Sequence, residues 1–450
     1  MQFCFRCKRT SGANTQFPHF SQVFMRITNV HLFNVGVFDD TKIDFPAEKQ
    51  GNGAEIHLLT GANGSGKSTI LYALAGSVFP NSQLISRMGK NGQDSYIGIT
   101  FDNQLREELR LQKGNFSLSN RLFQQLSLAI SGSNNPAHQF DFVMLAYAGN
   151  RSVETIKLQA IQEIGQAPLS NALSFHQSVN PQTLIQWIAN TNAKIANAFY
   201  KGQHERVEQL KYSIERIESA VAEIIGKTVE FVYEDDPHLD VKIRVGGELL
   251  SFDVLPDGLK SIISWIADLL MRLDRINWAE KRDVLDQNFI LFLDEIEIHL
   301  HPAWQRKILP VVQKLFRNAQ IFIATHSPFV IGSVSDAWVY RLTVPPSPVV
   351  TPTLTNSANS VELVLHDIFG IEERFGVDVE KKFAEFYELR DKMFAGKNEA
   401  EQVSLEQDFT RLAEELAARS EETNAIISRE LRQAQRILGK TLQTSIPETV

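Results

Sequence analysis

From Met25 onward the apolar positions first follow a period of two. Residues 26–33 and 36–45 alternate on either side of Asn34-Val35-Gly36, which predicts a hairpin. Residues 55–59 (EIHLL) read as a short apolar strand entering a glycine-rich loop, and the spacing over 67–78 predicts a helix behind that loop. Alternation returns at 95–101, 105–111 and 141–148. Between 181 and 226 the period becomes helical: Val207, Leu210, Ile214, Ile217, Val221 and Ile224 step by three and four residues. That seam is too short for a coiled-coil rod and predicts an amphipathic lobe. Residues 228–234, 239–245 and 248–253 predict antiparallel strands, followed by a helix over 258–273 with a broad apolar face. Two runs, 289–293 (FILFL) and 321–324 (IFIA), are apolar without alternation, as strands buried on both faces of a parallel sheet are.

Residues 1–24 lack any such period and carry basic but no acidic side chains; they are expected to be a disordered leader. A transit peptide fits less well, because no amphipathic Arg/Ser-rich helix can be drawn there. Pro345, Pro346, Pro348 and Pro352 mark a linker, so the principal domain is expected over 25–345, with a helical lobe at about 165–226. Residues 346–450 are expected to be that linker and a charged helical region for oligomer or partner contacts.

Composition narrows the class of protein. The chain has 450 residues, 43% apolar and 22% charged, so it is ordinary globular material. No run approaches 18 apolar residues, which argues against a membrane span. The two cysteines, Cys4 and Cys7, are too few for a disulfide scaffold, and a cytoplasmic setting is expected. Their CxxC spacing is half a zinc site, which only ligands shared in an oligomer would complete. Net charge is −8, from 45 basic and 53 acidic residues, so nucleic-acid binding would require a local basic patch.

The chemistry is concentrated at three predicted strand ends. Gly61-Ala-Asn63-Gly64-Ser65-Gly66-Lys67-Ser68-Thr69 fits GxxxxGK[ST] between a strand and a helix. Glycines let successive N–H groups turn inward around phosphate oxygens, and the helix N-terminus adds positive potential there. Lys67 would reach the β- and γ-phosphates, and the Ser68 hydroxyl would ligate Mg²⁺. The run 289–293 ends in Asp294-Glu295. Asp294 would hold Mg²⁺, usually through water, and Glu295 would accept the proton of the attacking water. The run 321–324 ends in Thr325-His326-Ser327-Pro328, where an imidazole can contact a γ-phosphate. Catalytic candidates are therefore Glu295, His326 and Lys67, with ATP and Mg²⁺ as cofactors.

These motifs resemble the head of an ABC-type ATPase, in the branch of the Rad50, RecF and overcoming-lysogenization heads and of bacterial defence ATPases. The resemblance implies a P-loop α/β fold: a mostly parallel sheet core with an antiparallel β subdomain, a helical lobe and a helical C-terminal extension. It also implies a signature loop, for which Leu255-Pro-Asp257-Gly258-Leu-Lys260-Ser261 is the candidate. Pro256, Asp257 and Leu259 depart from the LSGGQ pattern, and Asp257 is expected to cap the following helix through its side chain. In the family this loop closes over ATP held by another protomer, so a homodimer or higher homo-oligomer with composite ATP sites is implied. The resemblance leaves the adenine contacts open, with the hairpin at 33–38 a candidate from family position alone.

The string Glu295-Ile-Glu297-Ile-His299-Leu-His301-Pro302-Ala-Trp-Gln305 resembles soluble ATPases of overcoming-lysogenization and Septu-type antiphage systems. Leu145–Arg151 and Asp367–Ile371 resemble features of the same group. No Toprim or HNH pattern accompanies it. The resemblance thus implies a regulatory ATPase that cuts nothing by itself and controls a separately encoded HNH-type nuclease, with DNA a candidate ligand. The alternative is a RecF-like or Rad50-like repair ATPase that clamps DNA. His299 and His301 would also suit zinc, although no third ligand is evident.

Overall fold

The computed structural model describes residues 25–445, except 48–52, 81, 90–92, 119–125, 127–128, 130–138, 150–159, 176–178, 180, 237, 344–351 and 396–398. The leader with Cys4 and Cys7, residues 150 and 151 of the Leu145–Arg151 stretch, and Pro345, Pro346 and Pro348 lie outside the described residues. Residues up to Val364 form one compact unit and Leu365 onward another.

In the first unit, strands β1 (Ile27–Val35) and β2 (Phe38–Asp44) form the hairpin, and β3 (Glu55–Gly61) leads into helix α1 (Lys67–Gly76). Strands β4 (Ser95–Phe101), β5 (Arg106–Gln112) and β6 (Asn115–Leu118) follow, then β7 (Val143–Tyr147). The lobe is the helical hairpin α2 (Pro181–Tyr200) and α3 (His204–Ile225), succeeded by β8 (Val229–Glu234), β9 (Asp240–Val245) and β10 (Glu248–Leu250). Helix α4 (Asp257–Arg275), β11 (Phe289–Asp294), α5 (Pro302–Leu315), β12 (Ala319–Ala324), β13 (Trp338–Leu342) and β14 (Pro352–Leu354) complete it.

Among the described residues the strands form three sheets. The central one has the order β14-β13-β3-β12-β11-β7, with only β14 antiparallel to its neighbour. Every residue of β3, β7, β11 and β12 is buried, so the uninterrupted apolar runs are the two-sided core strands expected. The antiparallel sheet β2-β1-β4-β5-β6 and the small sheet β10-β9-β8 are separate. The fold is the expected α/β arrangement, a mostly parallel central sheet with antiparallel sheets and helices beside it. It extends past residue 345, however: β14 pairs with β13, and the division falls after Val364. Proline marked a linker, yet an edge strand tolerates it because its missing N–H is needed on one side only.

A buried polar cluster ties the first two sheets together. Arg26, just before β1, forms a bidentate pair with Glu55 of β3 at 2.9 and 2.5 Å. Glu55 also meets His57 at 2.6 Å, and His57 meets the Tyr340 hydroxyl at 2.9 Å. The Gln320 amide bonds both the N–H and the C=O of Ile27. Burial raises the Glu55 pKa, but His57 and Arg26 outweigh it and bring the carboxyl down to about 2. A depressed carboxylate stabilises the fold above its unfolded value of 4.5, and that contribution is lost as pH falls through about 2. Glu55→Ala, which leaves Arg26 buried and unpaired, is expected to cost about 3–5 kcal/mol. Urea unfolding at neutral pH checks this; an unchanged midpoint would contradict it.

The lobe packs as its seam predicts. Val207, Ile214, Ile217, Val221 and Ile224 are buried on one face of α3, and Gly226 in the left-handed conformation ends the helix. A second buried ion pair, Arg272 to Asp268 at 2.6 Å, is joined by the Tyr147 hydroxyl at 2.9 Å, which fixes α4 against β7. Arg272 and Arg275 also donate to the carbonyls of Pro168, Ser170 and Gln166, so side chains of one helix hold an otherwise irregular segment.

In the second unit, helices α6 (Val377–Ala395), α7 (Glu399–Ala417) and α8 (Glu421–Leu438) share a core that includes Phe383, Phe386, Met393, Phe409, Leu416 and Ile427. A reciprocal Ser420–Thr423 capping box starts α8 and a left-handed Gly439 stops it. The charged helical tail is therefore a domain with its own core.

Candidate functional site: a glycine-rich loop and three neighbouring strand ends

Parallel register brings the candidate residues together. Leu59 of β3 and Asp294 of β11 each pair with Ala324 of β12, so β11 and β12 end at one level and β3 runs only two residues further, to Gly61. Beyond that level the backbone stays pinned: Thr325 N–H donates to Leu59 O at 3.0 Å, and Glu295 N–H to Ala324 O at 2.9 Å. Such ends form the mouth at which open α/β sheets bind ligands.

The loop after β3 has the shape of a cradle. Gly61, Gly64 and Gly66 all have positive φ, at 144°, 81° and 100°. At Gly66 a side chain would also meet the Phe38 ring at 2.5 Å, because the tip of the β1–β2 hairpin covers the loop. Lys67 Nζ turns back to donate to Gly61 O and Ala62 O, both at 3.0 Å. Burial pushes the Lys67 ammonium below its ordinary range, against the opposing charges of Asp294, Glu295 and Glu297. Phosphate oxygens would replace two loop carbonyls as its partners. Ser65 Oγ is buried with no partner in the cradle.

Ser68 Oγ donates to Asp294 Oδ1 at 3.0 Å, linking residues 226 positions apart. Tyr72, one turn further along α1, donates to Asp294 Oδ2 at 3.1 Å. Burial pushes the Asp294 carboxyl up, with the Ser68 and Tyr72 hydrogen bonds opposing. A buried carboxylate facing a serine hydroxyl is a donor set that suits Mg²⁺, an ion that takes few protein ligands and keeps its waters. The residues present therefore fit both the nucleotide and the ion. Tyr72 escaped the sequence reading, although its i+4 spacing from Ser68 was a usable signal.

Glu295 has a φ of 52°, and a side chain on Gly149 would come within 2.6 Å of its carbonyl. Burial and the Lys67 charge push the His326 imidazole below its ordinary range, with Glu295 opposing. Lys67, Ser68, Asp294, Glu295 and His326 thus share one electrostatic neighbourhood.

The proposed signature residues have other contacts. Lys260 Nζ donates to Asp253 O at 2.7 Å and lies 3.9 Å from Asp257. At Gly258 a Cβ would come within 2.5 Å of His299 O, so this glycine permits close packing on the turn after β11. The Asp257 carboxylate is 77% exposed. It does not cap the helix: Pro256 is the N-cap, and its carbonyl takes the N–H groups of Leu259 and Lys260. Proline at an extended ψ of 142° already sets the helix start, leaving Asp257 inside the first turn. His301 caps α5, its Nδ1 accepting the Ala303 N–H at 3.2 Å. Among the described residues, no three His, Cys, Asp or Glu side chains group as a metal site.

A family model described as "AAA domain, putative AbiEii toxin, Type IV TA system" matches residues 56–332, more than half of the chain. The chain belongs to this AAA-domain family. A second AAA-domain model matches residues 25–86. The chain is 24% identical over 397 residues to "Retron Ec83 probable ATPase" of Escherichia coli, covering 71% of each. It is 23% identical over 370 residues to "Septu protein PtuA" of Bacillus thuringiensis, covering 77% of this chain and 85% of that one. Among solved structures, the SMC head domain from Thermotoga maritima aligns over 73% of this chain and 99% of its own, at 14% identity and a TM-score of 0.40. The AAA match begins in β3 and ends just past His326, enclosing all three strand ends. No helix among the described residues is long and apolar enough to cross a membrane.

Proposed function

We propose that this AAA protein binds and hydrolyses Mg·ATP and serves as the regulatory ATPase of an antiphage defence complex containing a separately encoded HNH-type nuclease. The Ser68–Asp294 hydrogen bond carries the ATPase reading, because it joins the phosphate loop to the acidic strand end where an ion would bridge them. The names of the retron and Septu relatives support the defence reading.

Bound Mg²⁺ would neutralise charge on the β- and γ-phosphates. The chain's own groups supply the rest. Amides of Asn63 to Thr69 surround phosphate oxygens, and Lys67 exchanges its loop carbonyls for them. Ser68 and Asp294 would hold the ion, Glu295 would take a proton from the attacking water, and His326 would donate to the γ-phosphate. Asp257, Gly258 and Lys260 of a second copy close the site, which makes the active form a homodimer or a higher homo-oligomer. DNA enters as a signal or as the nuclease's substrate.

Purified chain is expected to release phosphate from ATP only with Mg²⁺ and to leave DNA intact. The nuclease partner is expected to co-purify with the tagged chain from its native host. DNA cleavage by the chain alone, surviving loss of Glu295, would overturn the proposal.

A further inference from the structure

Among the polar residues of the string from Glu295 to Gln305 that the ATPase reading leaves without a task are Glu297 and Gln305. Both reach the segment after β12. Glu297 Oε1 accepts the backbone N–H of His326 at 2.5 Å, across 29 residues of sequence. Gln305 Oε1 accepts the Ser327 hydroxyl at 2.6 Å, while its Nε2 donates to Leu300 O at 2.8 Å. Ser327 Oγ in turn accepts the N–H groups of Phe329 and Val330. Consecutive residues of Thr325-His326-Ser327 are thus held from one side by the chain that follows Glu295.

We infer that Glu297 and Gln305 are positioning residues that clamp the His326 segment to the Glu295 segment, so that phosphate sensor and proton acceptor keep one geometry. Three observations converge on this. His326 has its peptide N–H fixed by a residue only two positions beyond Glu295, so displacement of either segment moves the other. The clamp has two points, and their bonds fix consecutive residues, which restrains rotation as well as separation. Glu297 is largely buried, and the Thr325 side chain lies within reach of its carboxylate as well, so it also touches the residue before His326. The spacing of the string follows: Glu297 lies in the turn after β11, and Gln305 sits four residues past the His301 cap, on the first turn of α5.

The inference rests on the ATPase reading, and its test separates the two. Steady-state phosphate release is measured for wild type, Glu297→Ala, Glu297→Gln and Gln305→Ala, with ATP titrated to separate kcat from KM. Misplacement of a catalytic group by about 1 Å costs on the order of 100-fold in rate. Glu297→Ala is therefore expected to lose about 10- to 100-fold in kcat, with KM for ATP nearly unchanged. Glu297→Gln keeps an acceptor for the His326 N–H and is expected to restore most of the loss. Gln305→Ala, on a half-buried residue, lowers kcat in the same direction and guards against misfolding of the Glu297→Ala variant. Wild-type kcat in both alanine variants, or a Gln variant as slow as Ala, overturns the clamp and leaves the ATPase reading standing. A wild-type chain that binds ATP and releases no phosphate overturns both.

Discussion

Replacing Glu295 by Gln is expected to reduce phosphate release by about 100-fold or more while nucleotide affinity is retained. General acid–base groups contribute about 10²–10⁴-fold to catalysis, and the amide cannot accept the water's proton. Shape and most contacts survive, since the Glu295 backbone is fixed by Ala324 O and by the close approach of Gly149. With hydrolysis stalled, the variant should accumulate as an ATP-bound oligomer, visible by light scattering as a mass increase that needs both Mg²⁺ and ATP. Unchanged turnover would remove Glu295 from its role and direct attention to Glu297.

Lys67→Ala gives the complementary result, loss of nucleotide binding itself. The ammonium has two acceptors in the loop, 3.0 Å away, and would meet two phosphate oxygens instead. Hydrogen bonds to charged groups are worth about 1.5–3 kcal/mol each. Loss of even one such bond weakens binding by about 10- to 100-fold. Titration with a fluorescent ATP analogue reads this directly. The two variants differ in kind, since Glu295→Gln should bind and not turn over, whereas Lys67→Ala should do neither. Equal binding by Lys67→Ala and wild type would place the nucleotide elsewhere.

Most of what positions this site was legible in local pattern. Strands β11 and β12 read as apolar runs because burial on both faces leaves no place for alternation, and each run ends in its polar residues where the sheet stops. The phosphate loop was legible because its positive-φ turns demand glycine at fixed spacing. What remained hidden depends on adjacency between distant segments. Glu297 reads as one more charge in an acidic stretch until β12 lies beside β11 and offers it the His326 N–H. Gln305 looks like a solvated residue on the first turn of α5 until Ser327 reaches it. Arg26 and Glu55 look like ordinary strand-edge charges, yet they form the buried tie between two sheets.

Two expectations failed for identifiable reasons. Asp257 has the right residue type for a helix cap, but the preceding proline starts the helix one position earlier and leaves the carboxylate exposed. The proline-rich stretch around residue 350 looked like a domain boundary, yet its last proline opens an edge strand of the central sheet. In both cases proline shapes the backbone around it, which counting it as a breaker overlooks.

The central claim is that the phosphate loop, the acidic end of β11 and the histidine after β12 make one Mg·ATP site. A crystal structure of the chain grown with Mg²⁺ and a non-hydrolysable ATP analogue tests it most directly. The γ-phosphate should lie within hydrogen-bond reach of Lys67 and His326, with the ion between Ser68 and Asp294 and the 257–261 segment of a second copy closing over it. Nucleotide bound in another cavity, with Lys67 still bonded to Gly61 and Ala62, would contradict the account.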